Sequence, residues 1–188
     1  MKDSEKKYLL IILILFISNS MMLYNYYKST DEKKSLRAEN QLSNQKFWTV
    51  LNQEGTLVNV QEIIKSKPLT LIIMISLKSC PACMYERRIW NEISTIKNVN
   101  VFGVLKEKQT TESDVWISNL ELNFPVYYDT SGYIEQIQKE LEQNELPLKI
   151  LTDSTGRVLS NDGSHVNINE QDEWFKKIKN EFILLSGK

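Results

Sequence analysis

Leu69-Thr70-Leu71-Ile72-Ile73-Met74-Ile75-Ser76-Leu77 is apolar at nearly every position. A strand with one face in water alternates apolar and polar residues. A run without alternation needs cover on both faces and belongs at the centre of a sheet layered between helices. That run leads straight into Ser79-Cys80-Pro81-Ala82-Cys83, which holds the only two cysteines of the chain. Cys-x-x-Cys spacing sets the second thiol about one helical turn from the first, within reach of a small disulfide. If a helix starts here, its unpaired N–H groups and the positive end of its dipole favour the Cys80 thiolate. Pro81 suits the first helical position, where no N–H bond is needed. A redox switch is one reading of the pair; two half-buried structural cysteines, or half of a metal site, are the others.

Composition narrows the classes. The 188 residues leave room for one ordinary domain and an appendage, and 41% hydrophobic content is that of a globular chain. With 23 basic and 24 acidic residues the net charge is -1, so there is no broad basic surface to grip nucleic acid, and no nucleic-acid partner is expected. Two cysteines and one histidine, His165, cannot assemble a closed four-ligand Cys/His zinc site within one chain. Neither a metal nor a cofactor is expected. A copper carrier using Cys80, Cys83 and His165 is a less favoured alternative.

The N-terminus has the grammar of export. Lys2, Lys6 and Lys7 precede the apolar run Tyr8 to Ile17, and Ser18-Asn19-Ser20 follows as a small-residue cleavage site. Continuing through Met21, Met22 and Leu23 to Tyr27 instead gives a segment just long enough to span a bilayer, with Tyr24, Tyr26 and Tyr27 as an interfacial belt. Residues 1–27 are therefore expected to be a signal anchor or a cleaved signal peptide, with the anchor favoured. Lys28 to Asn44 reads as a polar linker, and residues 45–188 as the folded domain. A dithiol domain behind an export signal belongs outside the cytoplasm, where disulfides are exchanged.

Along the domain, Phe47 to Leu51 and Thr56 to Val58 flank Asn52-Gln53-Glu54-Gly55 as a hairpin, and Val60 to Lys65 reads as a short helix. After Cys83, Ile89, Trp90, Ile93 and Ile96 form an apolar helical stripe. Glu86 shares that stripe, three residues past Cys83, so its carboxyl is aimed at the inner face beside the dithiol and suits a proton donor and acceptor. It equally reads as a side chain that leans out to water or pairs with an arginine. Val101 to Leu105 is a second strand. Thr111 or its neighbour caps a helix whose Val115, Trp116, Ile117 and Leu120 are read as core. Phe124 to Asp129 is extended, and Tyr133 to about Gln143 helical. Leu146 to Leu151 and Arg157 to Leu159 flank a Thr152-Asp153-Ser154-Thr155-Gly156 turn as a second hairpin. A last helix from about Asn169 carries Trp174, Ile178, Phe182 and Leu185 on one face.

This order resembles the thioredoxin superfamily, and within it the exported or membrane-anchored TlpA/ResA type. The resemblance rests on Cys80-Pro81-Ala82-Cys83 with Glu86, on Phe124-Pro125-Val126 to Asp129, on Leu146-Pro147, and on Asp153 to Val158. It covers roughly Phe47 to Leu185. It implies an α/β, thioredoxin-like fold with an N-terminal β-hairpin extension and an inserted helix-strand segment, preceded by a single N-terminal hydrophobic helix. It also implies that Pro147 is a cis-proline facing the dithiol, that Leu146 pairs with an extended substrate, and that Glu86 tunes the active-site thiols. The Trp-x-x-Trp-Cys approach of many relatives is absent here, where Leu77-Lys78-Ser79 precedes Cys80.

The expected activity is that of a protein-disulfide oxidoreductase. Cys80 attacks a partner disulfide, Cys83 resolves the mixed disulfide, and Glu86 manages the proton. The resemblance tilts the direction toward reducing exported proteins, apocytochrome c among the candidates, with a membrane thiol transporter as electron donor. An exported oxidase or isomerase is the close alternative, because Pro81-Ala82 between the cysteines offers no group that sets the potential.

Overall fold

The computed structural model describes residues 16–26, 28, 48–79, 81–164 and 167–186. Residues 16–26 are helical (α1) and their side chains are exposed. Among the described residues no helix is long and apolar enough to cross a membrane. The rest of the proposed export segment, and the linker but for Lys28, lie outside them.

The domain is one seven-stranded mixed sheet in the order β2-β1-β5-β4-β3-β6-β7. Its strands are β1 (Thr49–Leu51), β2 (Leu57–Asn59), β3 (Leu69–Ile75), β4 (Val99–Leu105), β5 (Val126–Asp129), β6 (Leu148–Asp153) and β7 (Val158–Asp162). β3, β4 and β5 run parallel, while β6 and β7 extend the sheet antiparallel on one side and the β1–β2 hairpin does so on the other. The apolar run thus lies at the centre, with all seven residues of β3 buried. Alternate residues of β3 serve different cores. Leu69, Leu71, Ile73 and Ile75 pack with α3 (Pro81–Ser94) and α6 (Ile168–Ser186), and Ile72 and Met74 pack with α2 (Val60–Lys65) and α5 (Tyr133–Glu140). This is the two-sided burial that the absence of alternation requires.

Local signals fix the element ends. Asn52 Oδ1 accepts from the N–H groups of Glu54 and Thr56, closing the β1–β2 turn over Gly55, whose φ of 78° is the left-handed region where glycine carries no steric cost. α4 (Thr111–Asn119) opens with a reciprocal capping box between Thr110 and Ser113, so the cap is the neighbour of Thr111. Asp129, at the end of β5, accepts from Ile134 N–H and so caps α5 from outside. Asp153 turns the second hairpin by accepting from Thr155 and Arg157.

Several boundaries and faces differ from the sequence reading. Val115 is 55% exposed rather than core, because α4 lies on the surface and turns Ile117 inward. α3 ends at Ser94, so Ile96 packs from the following loop. α5 stops at Glu140, where Glu142 takes a left-handed φ of 53°. β6 begins at Leu148, after Pro147, which has no N–H to give a ladder. Trp174, Ile178 and Phe182 are buried on one face of α6 as expected, while the Leu185 side chain is outside the description.

Candidate active site

β3 ends at Ile75, and a short 3-10 turn, Leu77–Ser79, carries the chain from the sheet to the cysteine motif. Glu107, just beyond β4, holds that turn. Its carboxylate accepts from Ser76 Oγ at 2.5 Å and from Leu77 N–H at 3.0 Å, and Ser76 Oγ accepts from Lys78 N–H. Parallel β3 and β4 end side by side, Ile75 opposite Leu105, which brings the two loops together. α3 then starts at Pro81, the first-helical-position proline anticipated from the sequence.

Cys83 sits in the first turn of α3, buried and disulfide-bonded. The chain has one other cysteine, Cys80, which lies outside the described residues. One turn beyond Cys83, Glu86 points into the core between α3, the sheet and α6, with 2% of its side chain exposed. It does not lean out to water or meet an arginine. Its partner is Lys149 of β6, whose Nζ donates to Glu86 Oε2 at 2.7 Å and is 1% exposed. Trp90 Nε1 donates to the same oxygen at 3.3 Å from one turn further along α3.

The sheet register explains how a lysine reaches this place. Lys149 is directly opposite Ile73 of β3 on one side and Asp162 of β7 on the other. Residues directly opposite in antiparallel pairs point to the same face, so Ile73, Lys149 and Asp162 form a row beneath α3 and α6. The ammonium lies 3.4 Å from Asp162 Oδ2 and 4.8 Å from the centroid of the Trp174 ring. Lys149 thus has a carboxylate on either side and an aromatic face over it, the surroundings a buried cation needs. Sequence reasoning passed over it, although a single charge in Leu148-Lys149-Ile150-Leu151 was the available signal: a lysine interrupting a buried strand requires a counter-charge.

Leu146 and Pro147 reach the same end of the sheet from the other direction. Leu148 is opposite Met74, so the two residues before it lie alongside the end of β3. Both are buried and the peptide bond between them is cis. Leu146, Ser76 and Lys78 line one cavity of about 570 Å3, together with Lys106, Glu107, Asp129 and Gln138. Met84 and Tyr85 are exposed on the outer side of α3, next to Cys83. His165 lies outside the described residues. Among the described residues, no cluster of three or more His, Cys, Asp or Glu side chains is arranged to hold a metal ion.

No family model matches the chain, and no curated protein matches it in sequence. Its fold does match solved structures. A thiol:disulfide interchange protein from Bacteroides sp. aligns with a TM-score of 0.56 and 14% identity over 70% of this chain and 83% of that one. The thioredoxin domain of a thiol-disulfide oxidoreductase from Bacteroides vulgatus aligns at 0.55 and 13% identity, over 70% and 90%. A secreted disulfide oxidoreductase of Mycobacterium tuberculosis aligns at 0.54 and 15% identity, over 70% and 94%. Over the part it shares with these structures, the chain has the thioredoxin-like fold.

Proposed function

We propose that this protein is an extracytoplasmic thiol-disulfide oxidoreductase that reduces disulfides in exported proteins. The observation that carries the reading is a disulfide-bonded Cys83 buried at the start of α3, with the Glu86 carboxylate one turn behind it and Leu146-Pro147 at the same end of the sheet. In the reduced protein the Cys80 thiolate attacks one sulfur of a partner disulfide. A Cys80–partner bond forms and the first partner thiolate leaves. Cys83 gives its proton to Glu86 and attacks the Cys80 sulfur, which forms the Cys80–Cys83 disulfide and releases the second partner thiolate. The partner gains two electrons, and the protein must be re-reduced by a dithiol donor, for which a membrane thiol transporter is the class that fits an exported domain.

Buried Cys83 suits the resolving role, because the sulfur it has to attack is that of Cys80 itself, three residues before it in the chain, and not one on a partner. Leu146 and the adjoining cavity would receive an extended segment of the partner, and exposed Met84 and Tyr85 offer it apolar contact. Delivery outside the cytoplasm is supported by the basic-then-apolar N-terminus and by the secreted relative in fold. In this reading residues 1–27 tether or export the domain, and apocytochrome c is one candidate partner class.

The test is insulin reduction by the full chain with dithiothreitol as donor, alongside capture of mixed disulfides in cells by Cys83→Ser. Wild type accelerates insulin precipitation, and the Cys83→Ser variant accumulates partners that a reductant releases. A double Cys80→Ser, Cys83→Ser variant captures none. No insulin reduction and no captured partner would overturn the reading.

A further inference from the structure

Parallel β3, β4 and β5 end on one side of the sheet, and the segment that leads into antiparallel β6 starts there. Their loops enclose the cavity of about 570 Å3, inside the roughly 300–1,000 Å3 typical of ligand sites. Its charged lining is Lys78 after β3, Lys106, Glu107 and Lys108 after β4, Asp129 at the end of β5, and Glu135 of α5. The formal charges balance, but the hydrogen bonds do not. Asp129 accepts from the N–H groups of Ser131 and Ile134, at 3.1 and 2.8 Å. Glu107 accepts from Ser76 Oγ and Leu77 N–H, and Glu135 is paired with Lys106 at 3.2 Å. Each carboxylate is thus supplied with donors. Lys78 and Lys108 are exposed, and among the described residues neither ammonium has an ion pair or a hydrogen-bond acceptor. The bonds of Glu107 also clamp the loop after β4 to the turn after β3, and Lys78 N–H donates to Ser76 Oγ, so the backbones carrying the two lysines are held together. Lys108 and Thr130 line a second cavity of about 350 Å3 with Leu51 and Tyr128, which continues the depression from Leu146 toward β1.

We infer that this cavity selects the partner: Lys78 and Lys108 receive an acidic side chain that flanks the disulfide to be reduced, through charge-assisted hydrogen bonds. That the occupant is a substrate segment rests on the oxidoreductase reading; the preference for an anion does not. An ammonium has three donors and no acceptor, so two of them at one mouth are answered by acceptors on the incoming chain, and best by a carboxylate. A basic side chain entering the same space meets carboxylates that already have donors, with two cations beside it. The location suits a segment held during exchange. Lys78 precedes Cys80 by two residues, and Leu146, before the cis peptide bond to Pro147, lines the same cavity. Extended chain advances about 3.3 Å per residue, so an Asp or Glu about two to four residues from the partner's cysteine comes over the cavity. Because both lysines are exposed, the selection acts largely on encounter and is screened by salt.

The test uses the reduced full chain and two synthetic peptides with one internal disulfide each, flanked in one by glutamates and in the other by lysines. The second-order rate of reduction of each peptide is divided by its rate with dithiothreitol, which removes the intrinsic reactivity of the peptide. Wild type favours the glutamate peptide by about tenfold at low ionic strength. The ratio falls to within about twofold in 1 M salt, where the Debye length is about 3 Å. The Lys78→Gln, Lys108→Gln double variant shows the same fall at low salt, whereas Lys78→Arg, Lys108→Arg keeps the preference. A wild type without preference, or a preference that survives in the glutamine variant, overturns the inference, and the wild-type comparison stands even where that variant fails to fold. Fluorescein-labelled peptides with serine in place of cysteine, titrated with wild type by anisotropy, read the selection apart from the chemistry. The glutamate version binds about tenfold more tightly than the lysine version at low salt, and equal binding overturns the inference. Should neither disulfide peptide be reduced while the serine peptides bind with this preference, the oxidoreductase reading falls and the anion site stands.

Discussion

Replacing Lys149 by Met should destabilise the oxidised protein by about 3–5 kcal/mol, the range for breaking a buried pair from one side. At 2.7 Å an ammonium and a carboxylate attract by about 6 kcal/mol at an effective dielectric of about 20. Stripping two ions of water costs several kcal/mol each, so the intact pair is close to break-even. Removing the lysine keeps the desolvation of Glu86 and deletes what offset it. Met fills much of the same space and its sulfur can rest on Trp174, which limits the packing loss. Glu86→Gln is milder, about 1–2 kcal/mol, because Lys149 keeps Asp162 at 3.4 Å and the amide oxygen still accepts from Trp90. The double variant leaves neither buried ion and should lie within about 2 kcal/mol of wild type, so the cycle yields a coupling of at least about 2 kcal/mol. Urea unfolding of the four proteins with the disulfide intact, followed by tryptophan fluorescence, measures all three quantities. Additive single effects, or a Glu86→Gln loss as large as that of Lys149→Met, would refute the argument. The first would mean no interaction, and the second that Asp162 does not share the lysine.

Two further predictions follow from the other side chains that order the sheet. Tyr128 donates to Asp114, and burial first, then that hydrogen bond and the Asp114 charge, push its phenol from 10.0 up to about 12. The unfolded chain therefore loses the Tyr128 proton before the folded one does. Its stabilisation is complete below about pH 10 and is lost as pH rises toward 12, amounting to about 2 kcal/mol. Tyr128→Phe removes this part of the alkaline loss, and parallel stability curves for the two proteins between pH 9 and about 12 would contradict it. Gly103 of β4 is opposite Val126 of β5, and a Cβ there would lie 3.1 Å from Val126 Cγ2. Gly103→Ala should cost about 1–2 kcal/mol, overpacking outweighing the entropy gained in the unfolded chain. The cost should largely vanish in a Val126→Ala background; an equal loss there would show that the clash is not with that valine.

What could be read from the sequence divides along a physical line. Period and punctuation are local, so β3, the two hairpins, α2, and the α3 and α6 stripes appear close to where the letters put them. Asn52 and Asp153 fix their turns through neighbours two and four residues away. Ends and faces that depend on the rest of the fold were less legible. Val115 has an apolar letter, but α4 packs too little of its surface for the side chain to be buried. The order of strands likewise depends on pairings between distant segments, and the β1–β2 hairpin joins the sheet through β5 rather than through β3.

The candidate site shows the same division within a few residues. Cys83 and Glu86 lie on one helix, so a spacing of three was enough to place both on the inner side of α3. Lys149 is 63 residues from Glu86, and what joins them is a register: Ile73 opposite Lys149, and Lys149 opposite Asp162. A slip of one residue in β6 would turn Lys149 to the other face, toward the Ile72 and Phe102 core, and would leave both carboxylates without it. Carrying a cation inside an apolar strand therefore fixes that register more firmly than another leucine would. The same side chain that pairs with Glu86 at 2.7 Å also penalises the wrong sheet, which ties the surroundings of α3 to the correct pairing of β6.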